Sequence, residues 1–160
     1  TKISLEQNKI VLILKQKTMP SVSPYLNFSG KCEEAFNFYQ SVFGGEFFTL
    51  MRFKEAPPEY RSCEAEWEWI MHVALPIGKN TVLLGSDVPS AMGPLTGGSN
   101  MAVALHPGSE EEAKRLFDGL SAGGEIRMPL MQAFWGSWFG MFHDKFGISW
   151  MVNFDPQHPM

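Results

Sequence analysis

Cysteine is scarce in this chain of 160 residues, which holds two, Cys32 and Cys63. No Cys-x-x-Cys pair occurs, so the spacing does not indicate a dithiol or zinc site. Secreted domains that depend on disulfides carry cysteine at a much higher density. We therefore expect two reduced thiols and a cytoplasmic protein.

Clustered positive charge is also missing. Lys and Arg number 13 against 17 Asp and Glu, which gives a net charge of -4, and the basic residues form no patch along the sequence. Domains that bind nucleic acid usually show such a patch. We therefore expect no nucleic-acid partner.

Long apolar runs are absent as well. The run in the N-terminal segment, Ile10 to Leu14, is shorter than the ~20 residues of a spanning helix and the ~7 of a signal-peptide core. We expect no membrane partner. Residues 1–20 are interpreted as an N-terminal extension, either an extra edge strand or a short amphipathic arm, with Met19 as a candidate natural start.

An internal repeat is present. The stretch "EEAFNFYQSVFGGEF" begins at Glu33, and "EEAKRLFDGLSAGGEI" begins at Glu111. Both begin with Glu-Glu-Ala and reach a Gly-Gly-Glu sequence after one helix length. A repeated supersecondary unit is the usual source of such similarity.

Both repeat segments read as amphipathic helices. In the first, Ala35, Phe36 and Tyr39 begin an apolar stripe at helical spacing, and Leu116 and Phe117 belong to the equivalent stripe in the second. Ser109 is a candidate N-cap of the second helix. The Gly pairs at 44–45 and 123–124 are expected to end the helices in the left-handed conformation.

Strand-like runs flank each helix, one before it and three after it. Each half is therefore predicted to be a β-α-β-β-β module, the first at about 21–90 and the second at about 99–155, with 156–160 as a tail. In the run "NMAVALH", we expect Met101, Val103 and Leu105 to face the helix. We predict an α+β fold, a single domain in which two paired modules form a half-open sheet around a cavity, with the helices on the outside.

The stretch from Phe134 to Val152 contains three Trp and four Phe. Glycines and Asp144-Lys145 interrupt it too often for a membrane span. Alternation along its last strand predicts that Trp150 belongs to the core. Trp135 and Trp138 are interpreted either as core and dimer packing or as an aromatic wall for a flat or apolar ligand.

Four segments together resemble the vicinal oxygen chelate superfamily, which includes glyoxalase I and the extradiol dioxygenases, and in particular its PhnB-like branch. They are "PYLNFSGKCEEAFNFYQSVFGGEF", "IMHVAL", "EEEAKRLFDGLSAGGEIRMPL" and "FWGSWFGMFHDKFGISWMVNF". The resemblance runs from about residue 21 to residue 154. Members of this branch are often labelled PhnB or 3-demethylubiquinone methyltransferase-like.

The resemblance implies a homodimer and a small-molecule ligand. Metal-dependent members place His, Glu or Gln ligands on the cavity faces of four strands. At these positions the present chain has Asn100, Met151 and, on the first strand, Ser23 or Tyr25. Such residues do not make the imidazole, carboxylate or thiolate set that a catalytic metal requires, so we expect no metal and no cofactor.

His72 is the candidate catalytic residue, because imidazole is the side chain that changes charge nearest neutral pH. The alternative is a structural histidine held by a hydrogen bond. The candidate substrate-binding residues are Tyr25, Asn100, Trp135, Trp138 and Met151.

Three functions remain open from the sequence. The first is a metal-free protein that binds a small organic molecule in an aromatic cavity, with or without catalysis. The second is a divalent-metal lyase or isomerase resembling glyoxalase I. The third is a non-catalytic protein that sequesters a drug or metabolite.

Overall fold

The computed structural model of the protein describes residues 21–158. The predicted N-terminal extension, 1–20, lies outside the described residues, as do the last two residues of the tail. The elements follow the predicted order twice: β1 (Tyr25–Phe28), α1 (Cys32–Phe43), β2 (Thr49–Arg52), β3 (Ile70–Ile77) and β4 (Thr81–Asp87), then β5 (Val103–Leu105), α2 (Glu110–Ser121), β6 (Glu125–Gln132), β7 (Trp138–His143) and β8 (Ser149–Phe154).

The strands form two four-stranded mixed sheets with the same internal order. The first sheet runs β1-β4-β3-β2 and the second runs β5-β8-β7-β6. The outer pairs β1–β4 and β5–β8 are parallel, and the remaining neighbours are antiparallel. The α+β class with two paired β-α-β-β-β modules is thus confirmed, and the sheets are not closed.

Each helix forms and ends for the predicted reasons. In α1, Ala35, Phe36 and Tyr39 are fully buried, and the chain leaves the helix through Gly44 at φ 79°. In α2, the Ser109 hydroxyl accepts a hydrogen bond from the backbone N–H of Glu112 at 3.1 Å. That bond satisfies one of the free donors at the start of the helix.

The two modules share one hydrophobic core, because their helices contact each other as well as their own sheets. Val42 of α1 lies directly against Gly119 of α2. The ring of Trp150, on β8, packs against Tyr39 of α1 with 5.5 Å between ring centroids. The helix-facing sides of both sheets therefore bury into a common core, and their opposite sides are directed away from it.

A buried carboxylate ties the modules together. Asp144, in the turn between β7 and β8, accepts hydrogen bonds at Oδ2 from the Tyr39 hydroxyl (2.7 Å) and from Nε1 of Trp150 (2.8 Å). Its Oδ1 accepts from the backbone N–H groups of Phe146 and Ile148. Burial, followed by the charge of Asp144, raises the pKa of the Tyr39 phenol, so this donor keeps its proton.

The first strand of the second module is shorter than expected. It begins at Val103 rather than near residue 100, and Met101 is exposed instead of facing the helix. The strand is short because its pairing with β8 covers only Val103 to Leu105. None of the helices formed by residues 21–158 is long and apolar enough to cross a bilayer.

Candidate ligand-binding site

The side of the first sheet away from α1 is the first open face, and it carries the candidate base. Strand alternation defines it: Leu26 and Phe28 of β1 are buried toward the helix, whereas Tyr25 points to the other side and is 46% exposed. The face consists of Tyr25, Asn27, Thr49, Met51, His72, Ala74, Leu84 and Ser86, which follow from the strand register.

Tyr25 and His72 meet on this face although 47 positions separate them in the chain. The Tyr25 hydroxyl lies 3.5 Å from Nδ1 of His72, and the two rings stack with centroids 6.0 Å apart and an angle of 29° between their planes. His72 is half-buried. A hydroxyl and an imidazole in this arrangement can together donate and accept hydrogen bonds to one ligand.

The surroundings of this pair contain both apolar and polar side chains. Met51, on β2, is the direct cross-strand partner of His72, and Leu84 lies between Tyr25 and Ala74 in the register. The polar residues of the same face are Asn27, Thr49 and Ser86. Small-molecule sites combine apolar surface with polar groups that orient the ligand. Sequence reasoning missed Met51, because nothing local in "FFTLMRF" shows which residue of a distant strand lies opposite it.

The side of the second sheet away from α2 is the second open face, and it is rich in methionine. Met128, Met141 and Met151 form one cross-strand row over β6, β7 and β8, and Met131 and Phe139 continue it. Met151, a predicted substrate-binding residue, therefore lies in a cluster of methionines. Sequence reasoning missed the rest of this row. Alternation in "GMFH" was the available signal, because it puts Met141 and Phe142 on opposite sides of the strand.

The remaining predicted residues lie in other places. Trp135 is at the tip of the β6–β7 hairpin, 60% exposed, and stacks edge-to-face on Phe134. Asn100 is an exposed residue of the connector before β5. Trp138 lies on the helix side of β7, with the Lys114 ammonium of α2 4.8 Å from its ring centroid. The structure thus brings Tyr25 and His72 together and places Asn100, Trp135 and Trp138 apart from them.

The donor groups do not fit a metal of the kind that the superfamily uses. Among residues 21–158, no three His, Cys, Asp or Glu side chains come close enough to share an ion. The first open face offers one imidazole and one phenol, and the second offers thioethers at its centre. Hard and borderline cations require carboxylates, several imidazoles or thiolates.

Neither cysteine contributes a nucleophile to these faces. Cys32 is buried at the start of α1, and burial raises the pKa of its thiol, with the nearby Asp87 carboxylate acting in the same direction. A thiol that keeps its proton is a weak nucleophile. Cys63 is exposed in the loop between β2 and β3 and forms no disulfide.

Comparison with known proteins supplies the family. The model of the glyoxalase/bleomycin resistance protein/dioxygenase superfamily matches residues 22–152. Protein YjdN of Escherichia coli K12 is 32% identical over 146 residues, which cover 86% of this chain and 97% of YjdN.

Solved structures agree with that match. Protein PA1353 from Pseudomonas aeruginosa superposes with a TM-score of 0.77 at 37% identity, over 86% of this chain and 98% of that one. A putative 3-demethylubiquinone-9 3-methyltransferase, PhnB protein, from Bacillus cereus superposes with a TM-score of 0.69 at 27% identity, over 85% and 100% of the two chains.

Proposed function

This chain belongs to the glyoxalase/bleomycin resistance protein/dioxygenase superfamily, in its PhnB-like branch, and from that membership we propose that it binds a small organic molecule on its first open face. His72 is the polar group that holds or deprotonates the ligand. Tyr25 orients the imidazole, and no metal takes part.

The observation that carries this proposal is the Tyr25–His72 pair on an open sheet face. A structural histidine is normally buried and fully paired. His72 is instead half-buried, and its Nδ1 faces the Tyr25 hydroxyl at 3.5 Å. When that hydroxyl donates to Nδ1, Nε2 carries the proton and donates to the ligand. In the other tautomer, Nε2 is free to accept a proton.

A second copy of the chain supplies the other wall of the pocket. One sheet face covers only one side of a flat ligand. The other side of the ligand stays exposed to water. The second open face of a partner, with Met151 and the Trp135 hairpin, is a suitable cover, since methionine adapts its shape to varied apolar ligands. The proposed unit is a cytoplasmic homodimer, in accord with the exposed and unpaired Cys63.

Native mass spectrometry of the gently purified protein tests the binding. We expect the protein to retain an organic molecule, or to bind one found by screening planar apolar compounds. Binding of that molecule should raise the melting temperature of the protein and change its Trp emission. His72→Ala should weaken its binding by about 10-fold, the loss of one hydrogen bond of roughly 1.4 kcal/mol.

His158→Ala is the matched control, because His158 is exposed in the tail and, within residues 21–158, pairs with Asp155. It should bind the compound as the unaltered protein does. If His72→Ala leaves both affinity and turnover unchanged, the first open face is not the site. Lost turnover with unchanged affinity would make His72 a catalytic residue.

A further inference from the structure

A concave region lies where the two modules and their connector meet. This inter-module cleft has a volume of about 420 Å³, within the range of small-molecule pockets, and is lined by Phe28, Lys31, Glu34, Leu95, Lys145 and Phe146. The residues come from the end of β1, the start of α1, the connector and the β7–β8 turn. The cleft therefore exists only when both modules are folded together.

One wall of the cleft is aromatic and rigidly held. Phe28 is buried in the core, and its ring meets Phe146 edge-on at 6.3 Å between centroids. The turn that carries Phe146 is fixed by the bonds to Asp144 described above. Phe28 thus supports Phe146 from the core side, and Phe146 is the half-buried ring that faces the cleft. A flat ligand ring can pack against Phe146 without reordering the protein, which lowers the entropic cost of binding.

Lys145 places a positive charge at the edge of that wall. Its ammonium lies 4.6 Å from the ring centroid of Phe38 and 5.3 Å from that of Phe146, so cation–π attraction holds it beside the cleft. Within the part of the chain that the structure describes, no carboxylate lies within ion-pair distance of it. Its charge is thus available to an anion.

The other charges of the cleft cancel. Lys31 donates to the Glu34 carboxylate at 2.7 Å, and both side chains are exposed. Lys31, Lys145 and Glu34 together leave the lining with one net positive charge. Two uncharged residues, Asn27 and Ser29, also line the cleft on the side of β1.

We propose that the inter-module cleft binds a planar organic anion, an aromatic carboxylate whose ring packs against Phe146 and whose charge pairs with Lys145. This site is separate from the Tyr25–His72 pair, and its existence does not depend on the function of the first open face. Because the cleft joins both modules to the connector, an occupied cleft also stabilises their association.

Calorimetric titration of the full chain with 2-naphthoate tests the proposal, with 2-naphthalenemethanol as an uncharged probe of the same shape. We expect the carboxylate to bind more tightly than the alcohol. Lys145→Gln should weaken 2-naphthoate binding by about 10-fold and leave the alcohol unaffected, because only the charge-assisted contact is removed. Lys145→Arg should restore most of the loss.

Two further variants separate this site from others. Lys79→Gln removes an exposed charge from the β3–β4 turn and should leave both probes unaffected, as should His72→Ala. The proposal is overturned if 2-naphthoate fails to bind, if Lys145→Gln binds it normally, or if His72→Ala abolishes its binding. The last outcome would place the probe on the first open face and leave the proposed function intact.

Discussion

Three tryptophans of the aromatic stretch have different environments, and their positions explain their different roles. Trp150 is fully buried, donates to Asp144 and packs against Tyr39. Trp138 is half-buried under Lys114. Trp135 is largely exposed at a hairpin tip. Composition alone does not separate these residues, because it counts the tryptophans without showing which side of a strand each one occupies.

Alanine substitutions at the three positions should form a graded series. Trp150→Ala should lower the free energy of unfolding by roughly 3–5 kcal/mol, since it leaves a large cavity and removes one of the two donors to Oδ2 of Asp144. Trp138→Ala should cost about 1 kcal/mol, and Trp135→Ala less than about 0.5 kcal/mol. Urea denaturation followed by circular dichroism measures this, and equal losses at 138 and 150 would contradict the two placements.

At the scale of elements, the first backbone N–H groups of the two helices donate to different kinds of acceptor. Helix α2 has a local cap, Ser109. Helix α1 begins after Lys31, which makes no side-chain cap. Its first amides donate instead to Asp87, at the end of β4: Lys31 and Cys32 to Oδ1, both at 3.0 Å. Oδ2 of the same buried carboxylate accepts from the Ile70 backbone at 2.9 Å.

Removal of these caps should have unequal effects. Ser109→Ala should cost about 1 kcal/mol of stability, the usual value for a lost cap. Asp87→Ala should cost about 3 kcal/mol, because it leaves three backbone donors in a buried site without their acceptor. Asp118→Ala, which removes an exposed carboxylate of α2, is the control and should cost nothing measurable. Equal effects of Ser109→Ala and Asp87→Ala in urea denaturation would refute this account of α1.

At the scale of the whole molecule, the β6–β7 hairpin exposes several apolar side chains. Ile126, Met128 and Met131 of β6 are exposed, and Phe134 at the hairpin tip is 98% exposed. Groups of exposed apolar side chains often mark an interface. Since the helix sides of both sheets are already buried in the common core, we expect a second copy of the chain to cover the open faces.

Light scattering should therefore give about twice the chain mass of 18.0 kDa. Met131→Lys should shift the population toward monomer, because it places an unpaired charge in the interface. Lys79→Gln serves as the surface control and should leave the mass unchanged. A stable monomer of the unaltered protein at micromolar concentrations would contradict the dimer.

Local patterns in the sequence were sufficient to predict the two β-α-β-β-β modules. Helical spacing of Ala35, Phe36 and Tyr39, the cap at Ser109 and the glycines after each helix depend on neighbours within a few residues. The internal repeat then predicted two equal halves. Alternation also assigned Trp150 of β8 to the core correctly, since that strand has one side buried against a helix.

Those local patterns could not predict the contacts between distant segments. The side on which Trp138 lies depends on where β7 begins, and a shift of one residue reverses every side chain of a strand. The Tyr25–His72 pair depends on the register of β1, β4 and β3, and the inter-module cleft depends on how α1 packs against the β7–β8 turn. Periodicity along one segment carries no information about which distant segment packs against it, so these sites arise only in the assembled core.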